Sequence, residues 1–388
     1  MTTAPYYNID PQAFWRDPYP DLKHLRTHMP VAFVPQLNAT LITRRDDIFD
    51  VEKKIEFFSS EQPEGLMTQL MGQNMMRKDG AAHLAERKAI APSVAPRTVS
   101  KVWKAEFQRF TAEIMEDIRP AGEADMVADI AKRICGEALI VMTGLRTMPW
   151  QEMDRVSQGM IDGCANYLGD PEVEARCHDC TASIDRHIDE MVPVLQAEPD
   201  HSLLSVQMRA GLSMDQSRAN IKLAISGGQN EPRDVVAGMV WALLENPDQL
   251  AMIRAGQVKW LTAFEEYARW MSPIGMSPRE MAKDYDLHGV TLETGDRVFL
   301  MFGSGNRDED IFDRPDDFDV TQSTQGSIAF GAGPHFCAGA WASRCLIADV
   351  ALPAIFDSLP GLRLTGETPF GGWAFRGPLS CPVAWDTT

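Results

Sequence analysis

Apolar residues recur at helical spacing along most of the chain. Runs with this period cover residues 82–89, 99–118, 124–143, 151–168, 181–195, 214–244, 247–255 and 258–271, and each predicts a helix with a core-facing side. One more helical run covers 339–358. Strand-like patterning is confined to two places. Near the start, 31–36 and 39–43 are β-prone and separated by Leu37-Asn38, which predicts a hairpin ahead of a helical stretch at 45–54. Late in the chain, 285–290 and 297–302 repeat the pattern around the turn signal Thr294-Gly295-Asp296. Residues 57–76 are Ser-, Gln-, Gly- and Met-rich without a steady period and predict a long loop, the kind of segment that lines a site. Residues 306–326 form a polar meander rich in Asp and Pro. No internal repeat, linker or low-complexity tract interrupts the pattern, so one mainly α domain with a small β-rich region is expected across 1–388.

Composition narrows this picture without redirecting it. A chain that is 44% hydrophobic and 24% charged is globular, and at roughly 150 residues per domain its 388 residues would otherwise suggest two or three domains. Asp and Glu number 55 against 37 Lys and Arg, a formal charge of −18 that repels phosphate backbones and anionic lipid. The longest strongly apolar runs, such as 235–244, fall short of the roughly twenty residues that span a bilayer, and the N-terminal stretch is polar and Pro-rich. A cytoplasmic protein without nucleic-acid or membrane partners is expected. Seven cysteines, an odd number scattered through the chain, read as reduced thiols. Cys177-His178-Asp179-Cys180 imitates half a zinc site, but no second pair follows at zinc-finger spacing, so it reads as an incidental surface pair on a helix.

The segment with the most chemistry is Phe330-Gly331-Ala332-Gly333-Pro334-His335-Phe336-Cys337-Ala338-Gly339. As a dinucleotide loop it fails, because Phe336 stands where a third glycine is needed and no βαβ unit surrounds it. Two glycines ahead of Cys337 let backbone pass close to a flat ligand. Gly339 and the helix starting near it aim free N–H groups toward the sulfur, which favours a thiolate. The segment reads Phe-Gly-x-Gly-x-His-x-Cys-x-Gly, and by it the chain resembles the cytochrome P450 superfamily. That resemblance implies a triangular helical prism around a buried heme b, with Cys337 as the axial thiolate on iron.

Further residues take roles from the resemblance. His83 and Arg87 lie four apart on one predicted helix face. In the family such a pair clamps a heme propionate, and Arg279 and His335 match two more propionate contacts. Phe330, Gly331 and Gly339 belong with them as cofactor-binding positions. Glu266-Tyr267-Ala268-Arg269 matches the family's structural Glu-x-x-Arg helix, whose pair bonds to the meander backbone. Asp317 stands where many members carry an arginine, so the usual three-membered salt-bridge network is expected to be incomplete.

The long helix expected over the distal heme face departs from the family. Its oxygen-activating signature, Ala/Gly-Gly-x-acid-Thr, is replaced by Gly227-Gly228-Gln229-Asn230-Glu231-Pro232, with Asn230 in place of the acid and Glu231 in place of the threonine. Pro232 leaves the Gly228 carbonyl without its helical donor, so the helix is expected to open there. The alternative is that Glu231 faces solvent and Pro232 starts a new helical segment. With Gly228, Asn230 and Glu231 as the catalytic set, a carboxylate could deprotonate hydrogen peroxide and return the proton, a peroxygenase-like capacity beside the ordinary oxygen route. By resemblance the pocket takes Leu66, Leu70, Ile225, Ile274 and Phe375, which suit a small hydrophobic substrate. O-demethylation of a methoxy-aromatic is the expected reaction, with electrons from a separate ferredoxin- or flavin-type donor. A heme-thiolate binding or sensor protein without turnover is the alternative class.

Overall fold

A computed structural model describes residues 3–166 and 169–387. The chain is mostly helical with small sheets and gathers into two compact units. One contains Met1–Gln62, Gly238–Cys337 and Glu367–Cys381, the other Pro63–Ala237, Ala338–Gly366 and Pro382–Thr388.

The first unit is built on a five-stranded sheet. Val31–Val34 and Ala39–Ile42 form the expected hairpin, with Val31 opposite Ile42 and Val34 opposite Ala39. Ala39–Ile42 then pairs in parallel with Arg297–Leu300, which lies antiparallel to Ser277–Met281, itself antiparallel to Phe58–Ser59. The interior strand Ala39–Ile42 is buried at every position, as a strand covered on both faces must be. One side of this unit's core gathers Val31, Ile42, Ile48, Phe58, Val298 and Leu300, and another gathers Phe14, Leu22, Leu25, Leu41 and Phe299. Helices Pro11–Arg16, Tyr19–His28 and Leu203–Arg209 (the last in the second unit) were not part of the predicted pattern. The signal for the first was present: Asp10 accepts from the Gln12 and Ala13 N–H groups and Pro11 opens the helix.

The second unit is a helical assembly around an apolar cluster that includes Met71, Leu139, Met153, Met160, Ile184, Ile188, Ile221 and Ile225. Its helices include Gly80–Val94, Lys104–Ile118, Lys132–Thr143, Trp150–Cys164 and Pro171–Ala197. Several expectations change in extent. The helix expected at 82–89 runs Gly80–Val94, and that at 181–195 begins ten residues earlier, where Asp170 caps the Glu172 N–H and Pro171 takes the first turn. The pattern at 124–143 opens on a strand, Glu123–Asp125, paired with Pro382–Ala384. The helix expected at 151–168 is Trp150–Cys164, and Tyr167 and Leu168 lie outside the described residues. The long loop expected at 57–76 contains the strand Phe58–Ser59 and the helix Leu66–Met71.

Cys177 and Cys180 are a correction. Both are buried, not on the surface, and their sulfurs fill the space that side chains on Gly163 and Gly159 of helix Trp150–Cys164 would need. Two thiols seated against two glycines bring these helices close together.

Candidate functional site

Within the first unit, the Cys337 loop is closed by its own backbone, the Cys337 N–H donating to the Phe330 carbonyl at 2.9 Å. Gly331 and Gly333 have φ of 72° and 61°, in the left-handed region where a side chain is strained. A Cβ on Gly333 would also lie 3.0 Å from the Glu52 carbonyl oxygen. These glycines therefore serve the turn and its packing against the end of helix Arg45–Val51, beyond the approach of a flat ligand that the sequence suggested. Cys337 is exposed, whereas Cys164 is half-buried and the other five cysteines are buried.

Arg279, on strand Ser277–Met281, is buried. One terminal nitrogen donates to Ser277 Oγ at 2.6 Å and to the Pro278 carbonyl at 2.8 Å, and the other to Glu52 Oε1 at 3.2 Å. The second Glu52 oxygen accepts the Ala332 N–H of the cysteine loop. Burial pushes the Glu52 carboxyl up to about 7, against the opposing pull of Arg279 and the Ala332 N–H. His335 Nε2 lies 3.1 Å from Ser60 Oγ. Ile274 and Phe375, two of the expected pocket residues, are joined by an isolated β-bridge and are half-buried.

Glu266 and Arg269 form a fully buried, two-pronged pair with contacts of 2.7 and 2.8 Å. Arg269 also donates to the carbonyls of Asn306, Pro315 and Asp317. In place of an arginine at 317, Gln322 Nε2 donates to Glu266 Oε1 at 2.7 Å and the Asp319 N–H donates to the same oxygen at 3.0 Å. A neutral amide and a backbone donor fill the third position.

Within the second unit, His83 is buried and Arg87 half-buried on helix Gly80–Val94. Between them on the same helix, Glu86 accepts from Lys78, from Gln216 Nε2 at 2.7 Å and from Asn220 Nδ2 at 2.8 Å, and Asn220 Oδ1 accepts the Met75 N–H. This network fastens the helix that carries His83 and Arg87 to helix Met214–Glu245. It was illegible in sequence, because nothing local distinguishes Glu86 from the chain's many surface acids.

Helix Met214–Glu245 runs without a break through Pro232, so the expected opening is confined to the single donor that proline lacks, and Pro232 does not start a new segment. The two glycines before it differ. A Cβ on Gly228 would lie 2.7 Å from Leu139 Cδ2, so this glycine is needed for helix packing, while Gly227 faces open space. Asn230 Nδ2 donates to Ser157 Oγ at 3.0 Å, which commits the amide at the family's acid position. Glu231 Oε2 is buried without a hydrogen-bond partner, and burial pushes the carboxyl up to about 7, helped by Asp234 and opposed by its own backbone N–H and by Arg233. Leu70 is half-buried against the apolar cluster that contains the fully buried Ile225, and Leu66 opens the helix Leu66–Met71.

The donor set fits a heme. Among the described residues no group of three or more His, Cys, Asp or Glu side chains is placed to hold a bare metal ion. An exposed thiol in a rigid glycine turn suits a metal whose remaining ligands belong to a macrocycle, and the orphaned Glu231 oxygen calls for a donor from a bound molecule. Among the described residues, no helix is long and apolar enough to cross a membrane.

Comparison with known proteins agrees. The family model described as Cytochrome P450 matches residues 257–345. Cytochrome P450 107B1 of Saccharopolyspora erythraea is 26% identical, the match covering 89% of this chain and 89% of that protein. Epothilone C/D epoxidase of Sorangium cellulosum is 28% identical over 96% of this chain and 94% of its own. The crystal structure of P450BioI in complex with a fatty-acid-bearing acyl carrier protein superposes with a TM-score of 0.88 at 21% identity, covering 97% of this chain and 100% of that one. The fold is that of the cytochrome P450 structures. The chain is similar to the cytochrome P450 family, whose model it matches over residues 257–345.

Proposed function

We propose that residues 1–388 work as one heme domain, in which Cys337 would supply the thiolate ligand and His83, Arg87, Arg279 and His335 would hold the propionates, with Phe330, Gly331 and Gly339 shaping the cofactor loop. Bound heme supplies the oxidising power that inserts one oxygen atom into a C–H bond. The chain's own contribution is at Glu231. A carboxylate with one buried, unpartnered oxygen and a proton affinity near neutrality can take a proton from hydrogen peroxide and hand it back to the distal oxygen, a task a threonine hydroxyl performs poorly. That orphaned oxygen is the observation that carries the reading. Asn230, bonded to Ser157, orients this stretch of helix and moves no proton itself.

The substrate is a small methoxy-aromatic held by Leu66, Leu70, Ile225, Ile274 and Phe375. Hydroxylation of its methyl group gives a hemiacetal that collapses to a phenol and formaldehyde. With molecular oxygen as oxidant, electrons come from a separate ferredoxin- or flavin-type protein. Trp341, exposed and lying under the Arg344 guanidinium at 5.5 Å, offers such a partner an aromatic and cationic contact on an acidic molecule.

Formaldehyde release driven by peroxide alone, without a reductase, tests the role of Glu231. Glu231→Thr is expected to slow it by about a hundredfold, the range lost with a general acid–base group. In the wild type the rate is expected to rise as pH increases through about 7, because only the deprotonated carboxylate accepts the proton, and the Thr variant is expected to lack this rise. An equal or faster rate in the variant rules the role out.

A further inference from the structure

Nothing in the sequence marks Glu52, which follows helix Arg45–Val51 as one more acid in a chain of 55. In the structure its side chain is only 3% exposed. A carboxylate is costly to bury unless its oxygens are bonded and its charge is paired. Here both conditions are met by two elements that the heme reading involves. Oε1 takes the Arg279 guanidinium from strand Ser277–Met281, and Oε2 takes the Ala332 N–H from the loop that carries Cys337. Ala332 lies between the two left-handed glycines, so its N–H direction is set by the turn itself. The Glu52 oxygens are also the nearest atoms to the space beside Gly331, and its backbone carbonyl is the nearest to that beside Gly333.

We propose that Glu52 is a positioning residue for the cysteine loop, one oxygen fixing Ala332 and the other fixing Arg279, so that the loop's shape and the propionate-side cation are locked to a single buried carboxylate. The proposal rests on the assignment of Cys337 and Arg279 to heme. It has two separable consequences. The bond to Ala332 holds the turn that presents the sulfur. The negative charge offsets Arg279 and lowers the affinity of the neighbourhood for an electron.

Other charged and titratable groups flank Glu52. Lys53 is next in sequence, with its ammonium over the Phe49 ring, and His335 is on the same loop, with its Nε2 toward Ser60. Glu52→Gln keeps an acceptor for the Ala332 N–H and gives up the charge, while Glu52→Leu gives up both. In the heme-loaded enzyme, the midpoint potential and the absorption of the reduced carbon monoxide adduct are measured across a pH series. The wild-type potential is expected to fall as pH rises through about 7, where Glu52 loses its proton. The Gln variant is expected to keep the thiolate-type adduct, to have a more positive potential above that pH and to lack the step, which assigns the step to Glu52 and not to His335. The Leu variant is expected to lose much of the thiolate-type adduct.

A Gln variant with wild-type potentials throughout overturns the proposal, whether or not the Leu variant folds. A wild type that shows no thiolate-type adduct at any pH overturns the heme assignment of Cys337 and this proposal with it. The two failures are therefore told apart by the wild-type spectrum alone.

Discussion

Cys337→Ser is expected to leave a folded protein that no longer gives the thiolate-type carbon monoxide spectrum and whose oxygenation of any substrate falls to background. A serine hydroxyl is a weak ligand and stays protonated at neutral pH, so the electron donation that favours O–O cleavage is lost. The fold is indifferent to the change for a structural reason. The side chain is exposed, and the bond that closes the loop runs from the Cys337 backbone N–H to Phe330, which serine keeps. Unfolding of the heme-free protein should therefore shift by no more than about 0.5 kcal/mol, as for surface substitutions generally. Retained thiolate spectroscopy in the serine variant would remove Cys337 from its role, and the two measurements together separate a lost ligand from a lost fold.

Arg269→Met is expected to have the largest effect on stability, about 3–5 kcal/mol by equilibrium denaturation, the cost of leaving a buried charge without its partner. The residue is fully buried and does two jobs, neutralising Glu266 and donating to three meander carbonyls. Burial raises the Glu266 carboxyl and the arginine pulls it back down, so removing Arg269 leaves burial unopposed by its principal counter-charge. Glu266→Leu should cost a similar amount. The double variant Glu266→Leu with Arg269→Met should cost clearly less than the two single losses together, since neither charge is then stranded. A single-variant loss below about 1 kcal/mol would show that the meander is held by other contacts.

The parts of this protein that were legible in sequence are those whose cause is local. The Cys337 loop could be read because a turn with two left-handed positions admits little but glycine, and because the sulfur sits at a fixed offset from them. The long helix Met214–Glu245 and the hairpin Val31–Val34 with Ala39–Ile42 followed from periodicity. What escaped is non-local. Glu52 meets Ala332 across 280 positions and Glu86 meets Asn220 across 134, and no window of sequence contains both ends of either bond. Gln322 completing the Glu266–Arg269 pair is of the same kind, a substitution for the family's arginine supplied from five residues beyond the aligned position. Helix extents failed for a milder reason: the first turn of Pro171–Ala197 is mostly exposed, with Val173 its one half-buried apolar residue, so its start is marked chiefly by the Asp170-Pro171 cap.

The two cysteines set against Gly159 and Gly163 bear on the proposed use of peroxide. Peroxide attacks thiolates, and a protein working in its presence is exposed to its own reagent. Burial pushes the Cys177 thiol up to about 11 and that of Cys164 to about 12, raises Cys180 as well, and holds Cys135 and Cys345 above the ordinary thiol range. At neutral pH these sulfurs are protonated and poorly reactive, and helix contact shields Cys177 and Cys180 further. The packing that fits two helices together thus also leaves Cys337 as the one exposed cysteine, the sulfur that the proposed heme assignment gives to iron.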